Sequence, residues 1–312
     1  MADEDRLHDP WLVAGWPGMG SVAITAGYYL MAKLEMHLLA EFAPGEFFEA
    51  GHVNVKDGMI LRARLPRSRM FLWRDPNQKH DLIVFLGEAQ PPSHGVAFCR
   101  QLIGHAKMLG VSRVFTFAAM ATRMRPEHEA HVFGATIERH TFDEFRQLDV
   151  QMLEEGEIGG LNGVLLGVAA ENGMQGGCLL GEIPAVFSQL PFPKASLAVL
   201  EFFTLMFGIS IDLAELREQA QQVAARLADF LRQVEKTLSD AEGATEQIKP
   251  QPEELEEEVP HLDAHHQQKI ERMFEEARAD RSKAYLLKRE LDRLKVFHDY
   301  EDRFLDLFKK QE

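Results

Sequence analysis

The chain has 312 residues, 46% hydrophobic and 27% charged, with a formal net charge of −15. That size and balance suit a folded globular protein with one sizeable core and an accessory element. The acidic charge disfavours non-specific binding to nucleic acid or to an anionic membrane, because both partners carry phosphate.

Cys99 and Cys178 stand alone in apolar surroundings, so they read neither as a disulfide framework nor as a zinc site, and they fit a reducing interior. The N-terminal MADEDRLHDP is acidic and lacks the basic start and apolar stretch of a signal peptide. The longest apolar candidate, 195–211, is interrupted by Glu201 and too short to be a convincing membrane span. A soluble, cytoplasmic protein is expected, with no nucleic acid and no membrane among its partners.

Residues 11–15 read as a strand and 20–34 as a helix. Short alternating runs at 52–55, 59–65 and 69–74 predict strands, the last two joined as a hairpin through Pro66 and Ser68. The continuous apolar run 82–86 predicts a strand buried on both faces. A helix at 95–109, a strand at 113–119 and a possible strand at 131–137 follow. Asn162 to Glu171 reads as a helix, with Asn162 as its cap and Gly173 as its stop, and 176–180 as the next strand. Apolar helices are expected at 193–207 and 212–238. This alternation predicts an α/β core of three layers, a sheet with helices on both faces.

Composition breaks at 241–260, where AEGATEQIKPQPEELEEEVP reads as a solvated acidic linker. The expected domain plan is a core over 1–240, this linker, and a helical extension over 261–312. Residues 262–311 contain neither proline nor glycine. Ile270, Met273, Ala277, Ala284, Leu287, Leu291 and Leu294 form a heptad seam, interrupted at Asp280. Such a helix needs a partner. It is either a hairpin with 212–238 or an oligomerising coiled coil, and packing on another helix, in cis or in trans, is favoured.

Three motifs could carry chemistry. The stretch AGWPGMGSVA satisfies the pattern G-x-G-x-x-A from Gly18, and Glu41 lies at a usable distance for a ribose contact. The expected hairpin after Glu41 replaces the crossover that a dinucleotide site needs, and no Lys-Ser/Thr follows the glycines as in a Walker loop. The favoured reading is a strand-to-helix turn in which small residues pack closely, so that Gly18→Ala should destabilise. Leu-Gly-Glu recurs after a buried strand at Glu88 and at Glu182. The two carboxylates could share the crevice at the carboxyl ends of the strands, for acid/base work or a metal, or could simply end their strands. His128 and His131 lack the helical zinc spacing, and His265 and His266 read as solvated.

The blocks WLVAGWPGMGSVAITAGYYL, GVSRVFTFAAMAT, IGGLNGVLLGVAAENGMQGGCLLGEIPAVF and PFPKASLAVLEFF, taken in that order, resemble the proteasome assembly chaperone family over about residues 10–215. The resemblance implies an α/β sheet sandwiched by helices, similar to the nucleoside phosphorylase type, in a self-associating, non-catalytic chaperone. Members that dock on the proteasome tend to end in a hydrophobic-tyrosine-any tripeptide, whereas this chain ends Gln-Glu after two lysines. The family has also carried a carboligase label related to ATP-grasp enzymes, without a phosphate-clamping lysine here to support it.

The expectation is therefore a homo-oligomeric protein acting through protein–protein contacts, with a proteasome-like or other complex as partner. No catalytic residue, metal or cofactor is assigned. The alternative is a nucleotide- or small-ligand-binding enzyme, carboligase- or phosphorylase-like, with a crevice at Gly15, Pro17, Gly18, Gly20, Glu88, Asn162, Gly163 and Glu182.

Overall fold

The computed structural model describes residues 6–43, 47–51, 53, 55, 56, 58–242 and 263–309. Trp11–Gly15 forms β1, five consecutive buried residues, and a short 3-10 turn leads into helix α1, Val22–Lys33. The chain returns as β2, His37–Phe42, a strand not expected from its sequence. Its register shifts between Leu38 and Ala40, and such a bulge removes the period-2 signal.

The strands expected at 52–55 and 59–65 reduce to β3 (Val55–Lys56) and β4 (Met59–Ile60), paired with each other, while residues 52 and 54 lie outside the described residues. Residues 58–64 are exposed, so their alternation faces no core. The expected hairpin between 59–65 and 69–74 does not form. β5 (Ser68–Trp73) pairs antiparallel with β2 and with β6 (Leu82–Gly87).

Next come α2 (Gly95–Met108), β7 (Arg113–Thr122) and β8 (Val132–Thr136). Two unexpected short elements follow, α3 (Arg139–Gln147) and β9 (Gln151–Met152). The core closes with α4 (Gly160–Glu171), β10 (Gln175–Pro184), α5 (Pro193–Phe207) and α6 (Ala214–Glu242). The result is mixed α/β. An eight-stranded sheet runs β2-β5-β6-β1-β7-β10-β8-β9, with β6, β1, β7 and β10 mutually parallel at its centre.

Alternate residues of the central strands feed two buried clusters. Trp11 and Val13 join residues of α1 and α5, whereas Leu12 and Ala14 join residues of α2 and α4. This is the period-2 consequence of covering a sheet on both faces.

The single helix expected over 262–311 is three helices, α7 (Ala264–Ala279), α8 (Ala284–Arg293) and α9 (Phe297–Asp306). Asp280 ends α7, its carboxylate accepting from the Ser282 N–H at 3.0 Å, and Lys295 at φ +57° separates α8 from α9. Seam residues Ile270, Ala277, Ala284, Leu287 and Leu291 are buried as expected, but in the same cluster as α1. The Tyr285 hydroxyl donates to Gln219 of α6 at 2.6 Å, and its ring lies 4.6 Å from that of Tyr29. The extension thus finds its partner in cis, and no continuous helix remains for a coiled coil. Of the expected linker, Ala241 and Glu242 end α6, and the remainder lies outside the described residues. Among the described residues, no helix is long and apolar enough to cross a membrane.

Candidate functional site

The four central strands are level: Phe85 of β6, Ala14 of β1, Thr116 of β7 and Cys178 of β10 stand in register. Gly15 closes β1 at their carboxyl ends and the 16–21 loop follows, with Pro17 exposed. Gly20 is left-handed at φ +62°. Its N–H donates to the Ser188 carbonyl at 2.8 Å, its own carbonyl accepts from Phe192 N–H at 2.9 Å, and a Cβ there would lie 3.1 Å from Ile183. Gly18 is extended, at φ −168°, with open space around its Cβ position. The expectation for Gly18 as the packing glycine is therefore corrected: Gly20 fills that role.

Protein groups pack and hydrogen-bond around this loop. The Trp16 ring is fully buried, 5.3 Å from that of Phe85, and a Cβ on Gly87 would come within 2.5 Å of it. The Gln90 amide donates to the Pro17 carbonyl at 3.3 Å and accepts from the Leu161 N–H at 3.1 Å. It thereby takes a first-turn donor of α4, the kind of group that binds phosphate at helix N-termini. Glu41 lies in β2, three strands away from β1, and binds Arg69 at 2.8 Å, so it cannot serve as the ribose acid of a dinucleotide site.

Glu88 and Glu182 extend to similar heights on β6 and β10, but β1 and β7 lie between them. Three strand spacings amount to about 14 Å of sheet, and the two carboxylates have separate partners. Glu88 accepts from the Arg67 N–H at 2.9 Å and from the Arg69 guanidinium at 2.8 Å. Glu182 accepts from the Thr122 hydroxyl at 2.7 Å and from the His131 N–H at 3.2 Å, with the His131 ring Nδ1 at 2.7 Å. Burial pushes the Glu182 carboxyl up, but these hydrogen bonds outweigh it and hold the pKa below the ordinary value. The pair does not form an acid/base dyad or a shared metal site.

Asn162 is not the cap of α4; Gly159 is, and Asn162 lies buried inside the first turn with Gly163 beside it. The Asn162 carbonyl accepts from the Thr116 hydroxyl at 3.3 Å, and its side-chain oxygen has no hydrogen-bond partner among the described residues. His128 gives its main-chain carbonyl to Lys194 at 2.9 Å. Asp263 accepts from the His266 N–H at 2.7 Å as the cap of α7, bringing His265 and His266 beside it at the surface. Cys99 and Cys178 are fully buried, and burial pushes each thiol up to about 12.

A cavity of about 500 Å³ opens where the helical extension meets the core, between Tyr28, Arg64, Glu88, Lys288, Phe297 and Glu301. The Lys288 ammonium sits 4.0 Å from the centre of the Phe297 ring and pairs with Asp292 at 2.7 Å. Arg64 bridges Glu301 at 3.1 Å and Glu88 at 3.4 Å. Burial, and then the charge of Glu88, raise the Glu301 carboxyl, and burial raises the Tyr28 phenol. Of the expected crevice residues only Glu88 lines this cavity. Arg64, Arg67 and Arg69 went unnoticed in the sequence, although a cluster of arginines in so acidic a chain was a usable signal. Gln90 and Thr122 left no local signature.

The sequence model of the PAC2 family matches residues 12–231, more than half of the chain. The chain belongs to the PAC2 family. An uncharacterized protein of Methanocaldococcus jannaschii is 26% identical over 256 residues, covering 81% of this chain and 93% of the relative. Among solved structures, Pyrococcus furiosus PbaB, described as an archaeal proteasome activator, is similar with a TM-score of 0.61 and 24% identity, covering 73% of this chain and 94% of that one. A Mycobacterium tuberculosis proteasome-assembly chaperone homologue is similar with a TM-score of 0.61 and 22% identity, covering 70% and 94%. These likenesses show a shared PAC2 fold. The PAC2 match ends at residue 231, before α7–α9.

Proposed function

We propose that this PAC2-family protein is a non-catalytic assembly factor acting through protein–protein contacts, self-associating in the cytoplasm and docking on a proteasome-like or other complex. The observation that carries this reading is an exposed apolar patch. Val186 is 72% and Phe230 56% exposed, Leu190 and Val234 are also exposed, and the Phe187 and Phe230 rings lie 6.2 Å apart, which links the chain after β10 to α6. Exposed apolar groups gathered in this way mark interaction surfaces. The internal engagement of Glu88 and Glu182 supports it further, since neither faces the other across a crevice. The descriptions of the Pyrococcus and Mycobacterium relatives supply the class of partner. The same proposal takes the core as a three-layer, nucleoside-phosphorylase-like unit to which 261–312 is added.

The test is to measure oligomeric mass by light scattering and binding to purified proteasome core particles, with Phe230→Glu beside the parent. The variant should lose at least one association while keeping its thermal midpoint. Equal association of both proteins would overturn the reading.

A further inference from the structure

At the opposite end of the sheet, where β1, β7 and β10 begin, lies a second cavity of about 490 Å³. Trp11 of β1 and Phe207 of α5 wall it, their rings edge to face at 5.0 Å. Its acids are already engaged. Glu144 is held by Arg113, and Asp9 pairs with the His80 ring at 2.8 Å. Its donors are not. Trp11 is 4% exposed, yet its indole N–H has no partner among the described residues. Arg113, 7% exposed, uses its terminal nitrogens on Glu144 and Thr141 and leaves its Nε–H unpartnered. The buried Ser112 hydroxyl is likewise unpartnered, and the exposed Lys79 stands on the rim without an ion pair among the described residues.

Buried donors without acceptors are uncommon in folded proteins, and each one calls for an explanation. Here they belong to residues that line one cavity, whose carboxylates Asp9 and Glu144 are each paired with a basic side chain, beside the apolar surface of Met206 and Phe207. The geometry points to this cavity as a binding site for a small oxyanion, a carboxylate or phosphate monoester, carried on an apolar ring. The chain's net charge of −15 does not attract anions from a distance, and α5 brings its carbonyl end to the same rim at Gly208. Recognition therefore rests on short-range donors: the indole and guanidinium N–H groups and the Lys79 ammonium for the oxyanion, Phe207 and Met206 for the ring. The site lies at the strand starts, apart from the apolar patch beyond β10, and its failure would leave the assembly role untouched.

The experiment is calorimetric titration of the full-length protein with benzoate, phenyl phosphate and inorganic phosphate, with benzamide and benzylamine as controls. Saturable binding of benzoate or phenyl phosphate is expected in the millimolar range or tighter, and the stronger of the two identifies the oxyanion. Lys79→Glu, an exposed position, should keep the thermal midpoint and weaken that binding about tenfold. The Trp11 indole N–H resonance, assigned through Trp11→Phe, should move with the anion. The inference is overturned by no saturable heat from either ring-bearing anion, by equal affinity for benzamide or benzylamine, by inorganic phosphate binding as tightly as phenyl phosphate, or by unchanged affinity in Lys79→Glu.

Discussion

The main-chain N–H of Leu38 donates to the carbonyl of Phe308 at 2.7 Å. β2 is an edge of the sheet, and an uncovered edge offers its free groups to another chain. Phe308 is fully buried, its ring 6.1 Å from that of Phe71 in β5 and 5.7 Å from that of Phe304 in α9. The chain after α9 thus covers an edge and completes a core. Phe308→Ala should cost about 3 kcal/mol. A chain truncated before α9 should melt earlier and aggregate, as followed by thermal unfolding and light scattering; a truncated chain with the parent's midpoint and mass would refute this.

The two glycines of the 16–21 loop should respond differently to alanine. Gly18→Ala meets open space on an extended backbone and should be within about 0.5 kcal/mol of the parent. Gly20→Ala must hold φ +62° with Ile183 3.1 Å from the new carbon and should lose about 1–2 kcal/mol. Urea unfolding of both variants decides it, and equal losses would contradict the assignment.

Neither thiol should be available in the folded state. Cys99 and Cys178 have no exposed surface, and burial pushes each up to about 12, so little thiolate exists at neutral pH. Modification by a thiol reagent should proceed only as fast as the protein opens and should complete at once in denaturant. Rapid labelling of either cysteine under native conditions would show the packing around α2 or β10 to be different.

The hydrogen bonds to Glu182 make stability depend on acid. Its folded pKa lies below the ordinary 4.5, so as pH falls past 4.5 the unfolded chain takes up the proton first and stability drops until the folded value is passed. Glu182→Gln removes this titration. The variant should be about 1–2 kcal/mol less stable at neutral pH, with a flatter acid limb. Parallel curves of stability against pH for the two proteins would exclude Glu182 as the source.

The legible parts of the fold were those with a local period. LVA at 12–14 and LIVFL at 82–86 are buried on both faces, and their unbroken apolar character announced the central strands. β2 was hidden by its bulge, and 59–65 alternates without a core to face. Over 263–309 the seam was readable but its breaks were not, because the chain turns at Asp280 and at the left-handed Lys295 with neither proline nor glycine to mark the place. The site followed the same division. The echo of Leu-Gly-Glu located two strand ends, yet only the sheet order shows β1 and β7 between them. Glu301 lies 213 positions beyond Glu88 in the numbering, and no spacing rule joins them.

That long-range pair supplies the last prediction. Glu301 and Glu88 both lean on Arg64, and Glu301 is buried enough that its carboxyl titrates above the ordinary 4.5. As pH rises from 4.5 the unfolded chain releases this proton first, the folded state retains it, and stability therefore falls through that window. Glu301→Gln cannot ionise. Its stability relative to the parent should improve as pH rises from 4.5 until the raised folded value is passed, offset by roughly 1–2 kcal/mol for the weakened bond from Arg64. Glu88→Gln should destabilise at neutral pH by about 1–2 kcal/mol, because it removes one of the two carboxylates that the buried Arg69 holds at 2.8 Å. Urea unfolding of parent and variants across this range tests both. If Glu301→Gln merely tracks the parent at a constant offset, the carboxyl titrates normally and α9 does not bury it against the arginines.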